Sequence, residues 1–134
     1  MIYGQRNGAR GVYFWSGRVW DAEDLIAMNR VVRAIAPVED VIVKGEPIGD
    51  AASVTRPARL GGMRRGDEMI LLVADYFGRT GGTVKLSAAV STRSPVRELL
   101  TREPLSDHLS SGEVALTVNL GKARARFLHV QPID

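Results

Sequence analysis

The hydrophobic period of this chain changes at Pro37, and that change limits what it can fold into more than any other feature. Ahead of the proline, Leu25, Met28, Val32 and Ile35 recur at helical spacing and form one apolar stripe. Asp21 is a candidate N-cap with Asp24 three residues on, and both carboxylates suit the positive end of a helix. Pro37 pushes the residue before it toward extended geometry, so the helix is predicted to end near Ile35 or Ala36. Upstream, Gly11-Val12-Tyr13-Phe14-Trp15 is continuously apolar, as a strand buried on both faces would be.

Beyond Pro37 the period drops to two and turn signals arrive about every ten residues, the spacing of a β-sandwich. Strands are predicted over 41–46, 52–56, 59–63, 68–76, 83–90, 96–100, 113–120 and 123–130. Arg64-Arg65-Gly66-Asp67 reads as the turn of the best-marked hairpin. The glycines of 78–82 are predicted to join a second pair through positive φ, and Gly121-Lys122 a third. The expected fold is mainly β: an antiparallel immunoglobulin-like β-sandwich over 38–134, preceded by a strand-helix unit over 1–37.

Composition narrows the function classes. A chain of 134 residues, 45% hydrophobic, has room for a single core, and without cysteine it has no disulfide or thiolate chemistry. Eighteen basic against fifteen acidic residues leave a net charge of +3, too little to point to nucleic acid or an anionic membrane as partner. The apolar runs, such as 69–74, are too short for a membrane span, and no signal peptide is recognisable, so the chain as it stands is expected to be cytoplasmic.

Catalytic candidates are few. The two histidines are His108 and His129. His108 stands with Ser106, Asp107, Ser110 and Ser111, but neighbours in one loop do not point at each other as a triad requires, and no Gly-x-Ser-x-Gly accompanies them. His129, in the final predicted strand, is expected in a cross-strand surface or half-buried role rather than as a ligand. Two distant histidines without cysteine do not build a zinc site, and helix capping accounts for Asp21, Glu23 and Asp24 better than calcium does. The segment 78–83 lacks the Gly-Lys-Ser/Thr of a phosphate-binding loop. Arg56, Arg59, Arg64 and Arg65 could grip phosphates from a β-ribbon, although blunting a sheet edge is the preferred reading. The nearest carboxylate pairs, Glu46 with Asp50 and Glu98 with Glu103, read as solvated loop charges. No catalytic residue, metal or cofactor is expected.

Taken together, the two halves resemble the C-terminal part of a TIM-barrel glycoside hydrolase-like protein. Asn7-Gly8-Ala9-Arg10-Gly11-Val12-Tyr13-Phe14-Trp15-Ser16 looks like the last barrel strand, and Leu25-Ile26-Ala27-Met28-Asn29-Arg30 on to Ile35-Ala36-Pro37 is similar to the final barrel helix. Leu60 and Met63-Arg64-Arg65-Gly66-Asp67-Glu68, continuing to Ala74, resemble a hairpin of the sandwich that follows such barrels. Val96-Arg97-Glu98-Leu99-Leu100-Thr101-Arg102-Glu103-Pro104-Leu105 resembles another segment of it, and Asp75 stands where that family often has Asn. The resemblance implies a non-catalytic accessory domain that works through packing or self-association, because no residue here matches the catalytic carboxylates of earlier barrel strands. Its expected partner is a second copy, as a homodimer or larger homo-oligomer, or a barrel domain outside this chain. Trp15 falls where the family's last-strand aromatic stacks on a sugar, which makes Trp15, together with Trp20, the candidate ligand-binding pair. The alternative is a carbohydrate-binding module whose platform draws on Tyr3, Tyr13, Trp15, Trp20, Tyr76 and Phe77.

Overall fold

A computed structural model of the chain describes residues 21–106 and 112–133. The predicted strand over 11–15 therefore lies outside the described residues. Helix α1 spans Ala22–Ile35, and its N-cap is the predicted one: Asp21 is extended and its carboxylate accepts the Asp24 N–H at 2.9 Å. Pro37 ends α1 as expected, yet the chain does not become extended. Ala36–Val38 forms a 3-10 turn in which proline's missing N–H costs nothing, and Glu39–Lys44 forms a second helix, α2.

The strand predicted over 41–46 is thus helical up to Lys44. Six residues are too few for periodicity to separate the two forms, and the charges favour a helix: Glu39 and Asp40 at its start, Lys44 at its end. Only one turn of α2 faces inward, burying Val41 and Ile42 beside Val38.

The strands are β1 (Glu46–Pro47), β2 (Ala52–Val54), β3 (Arg59–Arg65), β4 (Glu68–Ala74), β5 (Thr83–Val90), β6 (Val96–Glu98), β7 (Pro104–Ser106), β8 (Gly112–Asn119) and β9 (Ala125–Val130). They form two antiparallel sheets, one in the order β1-β3-β4-β9-β6-β7 and one in the order β2-β5-β8. The fold is mainly β, a sandwich with a helical unit at its N-terminal side, as the sequence predicts.

Of the predicted hairpins only β3–β4 is one. Arg65 pairs with Glu68 across a turn in which Gly66 takes φ 62°. The other two connections cross between the sheets. β4 continues into β5, and β8 into β9, but β5 pairs with β8 over eight residues, from Thr83↔Asn119 to Val90↔Gly112, while β4 pairs with β9. Alternation identifies the buried side of a strand and says nothing of its neighbour, so the pattern predicts hairpins between strands adjacent in sequence.

The middle of the large sheet is covered on both faces. Met69, Leu71, Val73, Leu128 and Val130 meet Val84, Leu86, Ala88 and Val118 of the small sheet, while Met63, Ile70 and Phe127 on the opposite face meet Val38, Val41 and Ile42. That double covering is why 69–74 is apolar at every position. Close approach also sets Gly62, where an added Cβ would lie 2.2 Å from the Ile70 carbonyl oxygen on the next strand.

Two of the four clustered arginines are ion-paired. Arg64 lies directly opposite Glu46 in register and bonds it at 2.8 Å, and Arg65 meets Asp40 of α2 at 3.4 Å. A hydrogen bond from Lys44, its charge and that of Arg65 hold the Asp40 carboxyl below its usual range. The pairs tie the hairpin to β1 and α2, so this stretch is not a bare phosphate-gripping ribbon.

Candidate functional site

Trp15 and Trp20, the candidate ligand-binding pair, lie outside the described residues, as do Tyr3, Tyr13 and the His108 loop over 107–111. Of the proposed platform, Tyr76 and Phe77 are described, and both project from the surface, 61% and 79% exposed.

Their presentation rests on Asp75. This residue follows β4, is 4% exposed, and spends both carboxylate oxygens on the turn that follows. Oδ1 accepts the Arg79 N–H at 3.0 Å, and Oδ2 accepts the Thr80 N–H at 2.8 Å and the Thr80 hydroxyl at 2.6 Å. Its backbone accepts the Gly78 N–H at 3.0 Å and donates to the Arg124 carbonyl at 2.8 Å. Gly78, Gly81 and Gly82 supply the positive φ values predicted for the turn. The Thr80 hydroxyl hydrogen bond, then the backbone donors and the charge of Arg124, hold the Asp75 carboxyl below its usual range against the opposing effect of burial.

Asparagine in this place would offer one acceptor oxygen where the turn uses two. An Asp preceding a Gly- and Thr-rich turn is a local signal for such side-chain-to-backbone bonding, and it could have been read from the sequence. Arg124 closes the turn from the other side, donating from Nη1 to the Tyr76 carbonyl at 3.3 Å, and the Arg79 guanidinium lies 5.3 Å from the Phe77 ring centroid. Beside the two aromatics, Arg59, Leu60, Leu72 and Ala74 line an open cleft of about 400 Å³.

A second surface is helical. Every described residue of α1 is at least partly exposed, and three members of its predicted stripe face solvent: Leu25 at 56%, Met28 at 43% and Val32 at 56%. Its half-buried residues, Val31, Ala34 and Ile35, lie at its C-terminal end, where Ile35 packs against the core beside Val38 and Phe127. There Val31, Ile35, Leu72, Ala125 and Phe127 line an apolar groove of about 250 Å³.

Catalytic constellations do not assemble among the described residues. Hydroxyls meet carboxylates at Thr80 with Asp75 and at Ser91 with Asp67, and neither pair includes a histidine. His129 occupies the predicted cross-strand position, its Nε2 bonded to Glu68 Oε1 at 2.7 Å. Glu98, predicted to be a solvated loop charge, is instead 3% exposed, accepting the Thr101 N–H at 2.5 Å. Glutamate in a short strand reads as surface by type alone, and the turn that buries it is a tertiary feature. Among the described residues no three metal-ligating side chains come together, and no helix is long and apolar enough to cross a membrane. No known protein family matches the chain, and neither does any curated protein.

Proposed function

We propose that this chain is a non-catalytic accessory β-sandwich module, of the kind its sequence resembles at the C-terminal side of glycoside hydrolase-like barrels, and that it works through packing. The observation that carries this reading is α1, an amphipathic helix of 14 residues with no buried side chain. A helix of that length is marginal in water without a covered apolar face. The occupant proposed for the Leu25/Met28/Val32 face is a barrel-type domain, because α1 is the element similar to a final barrel helix and its stripe is the side such a helix turns to its strands.

Replacing Leu25, Met28 and Val32 together by lysine is expected to leave the thermal midpoint of the isolated chain unchanged and to abolish any concentration-dependent association seen in sedimentation. A drop in the midpoint of more than about 5 °C would mean that the stripe is already covered within the chain, and the reading fails. Hydrolysis of an aryl glycoside by the purified chain would also overturn it.

Exposed Tyr76 and Phe77 favour a second reading, carbohydrate binding across the cleft they border. Affinity-gel retardation on polysaccharide that is lost in Phe77→Ala, but kept when the α1 stripe is replaced, would establish it in place of the packing reading.

A further inference from the structure

Three arginines line one cavity. The cavity, about 380 Å³, lies between the end of α1 and the outer face of the large sheet. Arg33 belongs to the last turn of α1, Arg97 to β6 and Arg102 to the turn after β6. Among the described residues no side chain of the three forms an ion pair or a hydrogen bond, whereas those of Arg64 and Arg65 both do.

The two carboxylates that also line the cavity are already engaged. Glu68 bonds the ring of His129, which stands directly opposite Arg97 in the β6–β9 register. Glu98 is buried and turned to the Thr101 N–H. Neither salt-bridges an arginine, so the cavity keeps unmatched positive charge.

The turn that carries Arg102 is braced rather than loose. Glu98 N–H donates to the Glu103 carbonyl at 2.9 Å, and Thr101 Oγ1 accepts the Glu103 N–H at 3.3 Å. Between these bonds Arg102 takes φ 61°, the left-handed region that a branched or long side chain rarely adopts. A planar guanidinium with several donors matches an oxyanion better than any other small group, and a cavity of this size holds one small molecule.

We propose that this cavity binds a small oxyanion-bearing ligand, its phosphate or carboxylate group held by Arg33, Arg97 and Arg102. Glu68 is held by the His129 ring and forms no ion pair with the three arginines. This proposal stands on the cavity alone and does not depend on what covers α1.

The test is calorimetric and NMR titration of the full chain with inorganic phosphate and, separately, with succinate, at ionic strength matched with sodium chloride. Saturable binding of either anion with half-saturation below about 5 mM is expected. Saturation by phosphate assigns the ligand class as a phosphate, and saturation by succinate alone assigns it as a carboxylate. Arg97→Gln and Arg102→Asn should each weaken binding at least tenfold, asparagine being chosen because it tolerates the left-handed backbone. Arg59→Gln on β3 should leave it unchanged. Coincident melting curves establish that a variant is folded, and Arg33→Gln supplies a third removal if one of the others is not. A linear, unsaturating response to both anions overturns the proposal, and so does saturable binding that survives intact in the folded arginine variants.

Discussion

β4 and α1 each present an apolar face, and the two faces meet opposite fates. In β4, Met69, Ile70, Leu71, Val73 and Ala74 are all buried, because the small sheet covers one face and the segment from Val38 to Ile42 the other. In α1 no residue is buried, and Leu25, Met28 and Val32 stand in solvent. The difference teaches that an apolar stripe declares a face without declaring what covers it. Where both coverings lie within the chain the strand becomes the centre of the core, and where none is found among the described residues the helix is held by its cap and its last turn. Stability should therefore fall steeply from β4 to α1.

The sharpest way to break that contrast is a pair of truncations. Leu71→Ala should lower the free energy of unfolding by about 3 kcal/mol, through lost burial and the cavity left behind, whereas Leu25→Ala should change it by less than about 0.5 kcal/mol. Urea denaturation followed by circular dichroism measures both, and equal losses would put the two regions in one cooperative unit. Gly62→Ala comes next, at about 2 kcal/mol, because its methyl group would collide with backbone rather than with a side chain that can move.

The aromatic turn lies between the two extremes. The Asp75 carboxyl titrates lower in the folded protein than its unfolded value of about 3.9, so its contribution is present above that pH and is lost as pH falls through the lower folded value. Acidification should loosen residues 76–82 before the core. Asp75→Asn should speed exchange of the Thr80 amide roughly tenfold at neutral pH and flatten its acid dependence, as hydrogen exchange read by NMR would report. The smallest global effect belongs to Asp21→Ala. Removing this cap costs α1 about 1 kcal/mol, yet the midpoint of global unfolding should stay within error while α1 amides exchange about fivefold faster. A shifted midpoint would tie α1 to the core.

Local features were legible in the sequence to the extent that local physics decides them. The Asp21 cap, the stop at Pro37, the Gly66 turn and the positive-φ glycines of the 78–82 turn each follow from a few neighbouring residues, and each is where the sequence puts it. Residues 41–44 were misread because four residues carry too little periodicity, and Glu98 because its burial is imposed by a turn. The candidate sites were legible only in part. Tyr76 and Phe77 stand among six aromatic candidates in the sequence and only the structure shows that they are exposed, whereas the cavity of Arg33, Arg97 and Arg102 draws on residues up to 69 positions apart with no motif between them.

The sequence by itself determined the period of each segment, the chemistry of its turns and hence the class of fold, since these depend on sterics and hydrogen bonding within a few residues. Tertiary structure alone decided that β5 pairs with β8 and β4 with β9, that β4 is covered twice and α1 left bare, and that three arginines share a cavity. Hydrophobic burial is non-directional, so a stripe of apolar residues marks a surface to be covered, and only the packing of distant segments settles which of them covers it.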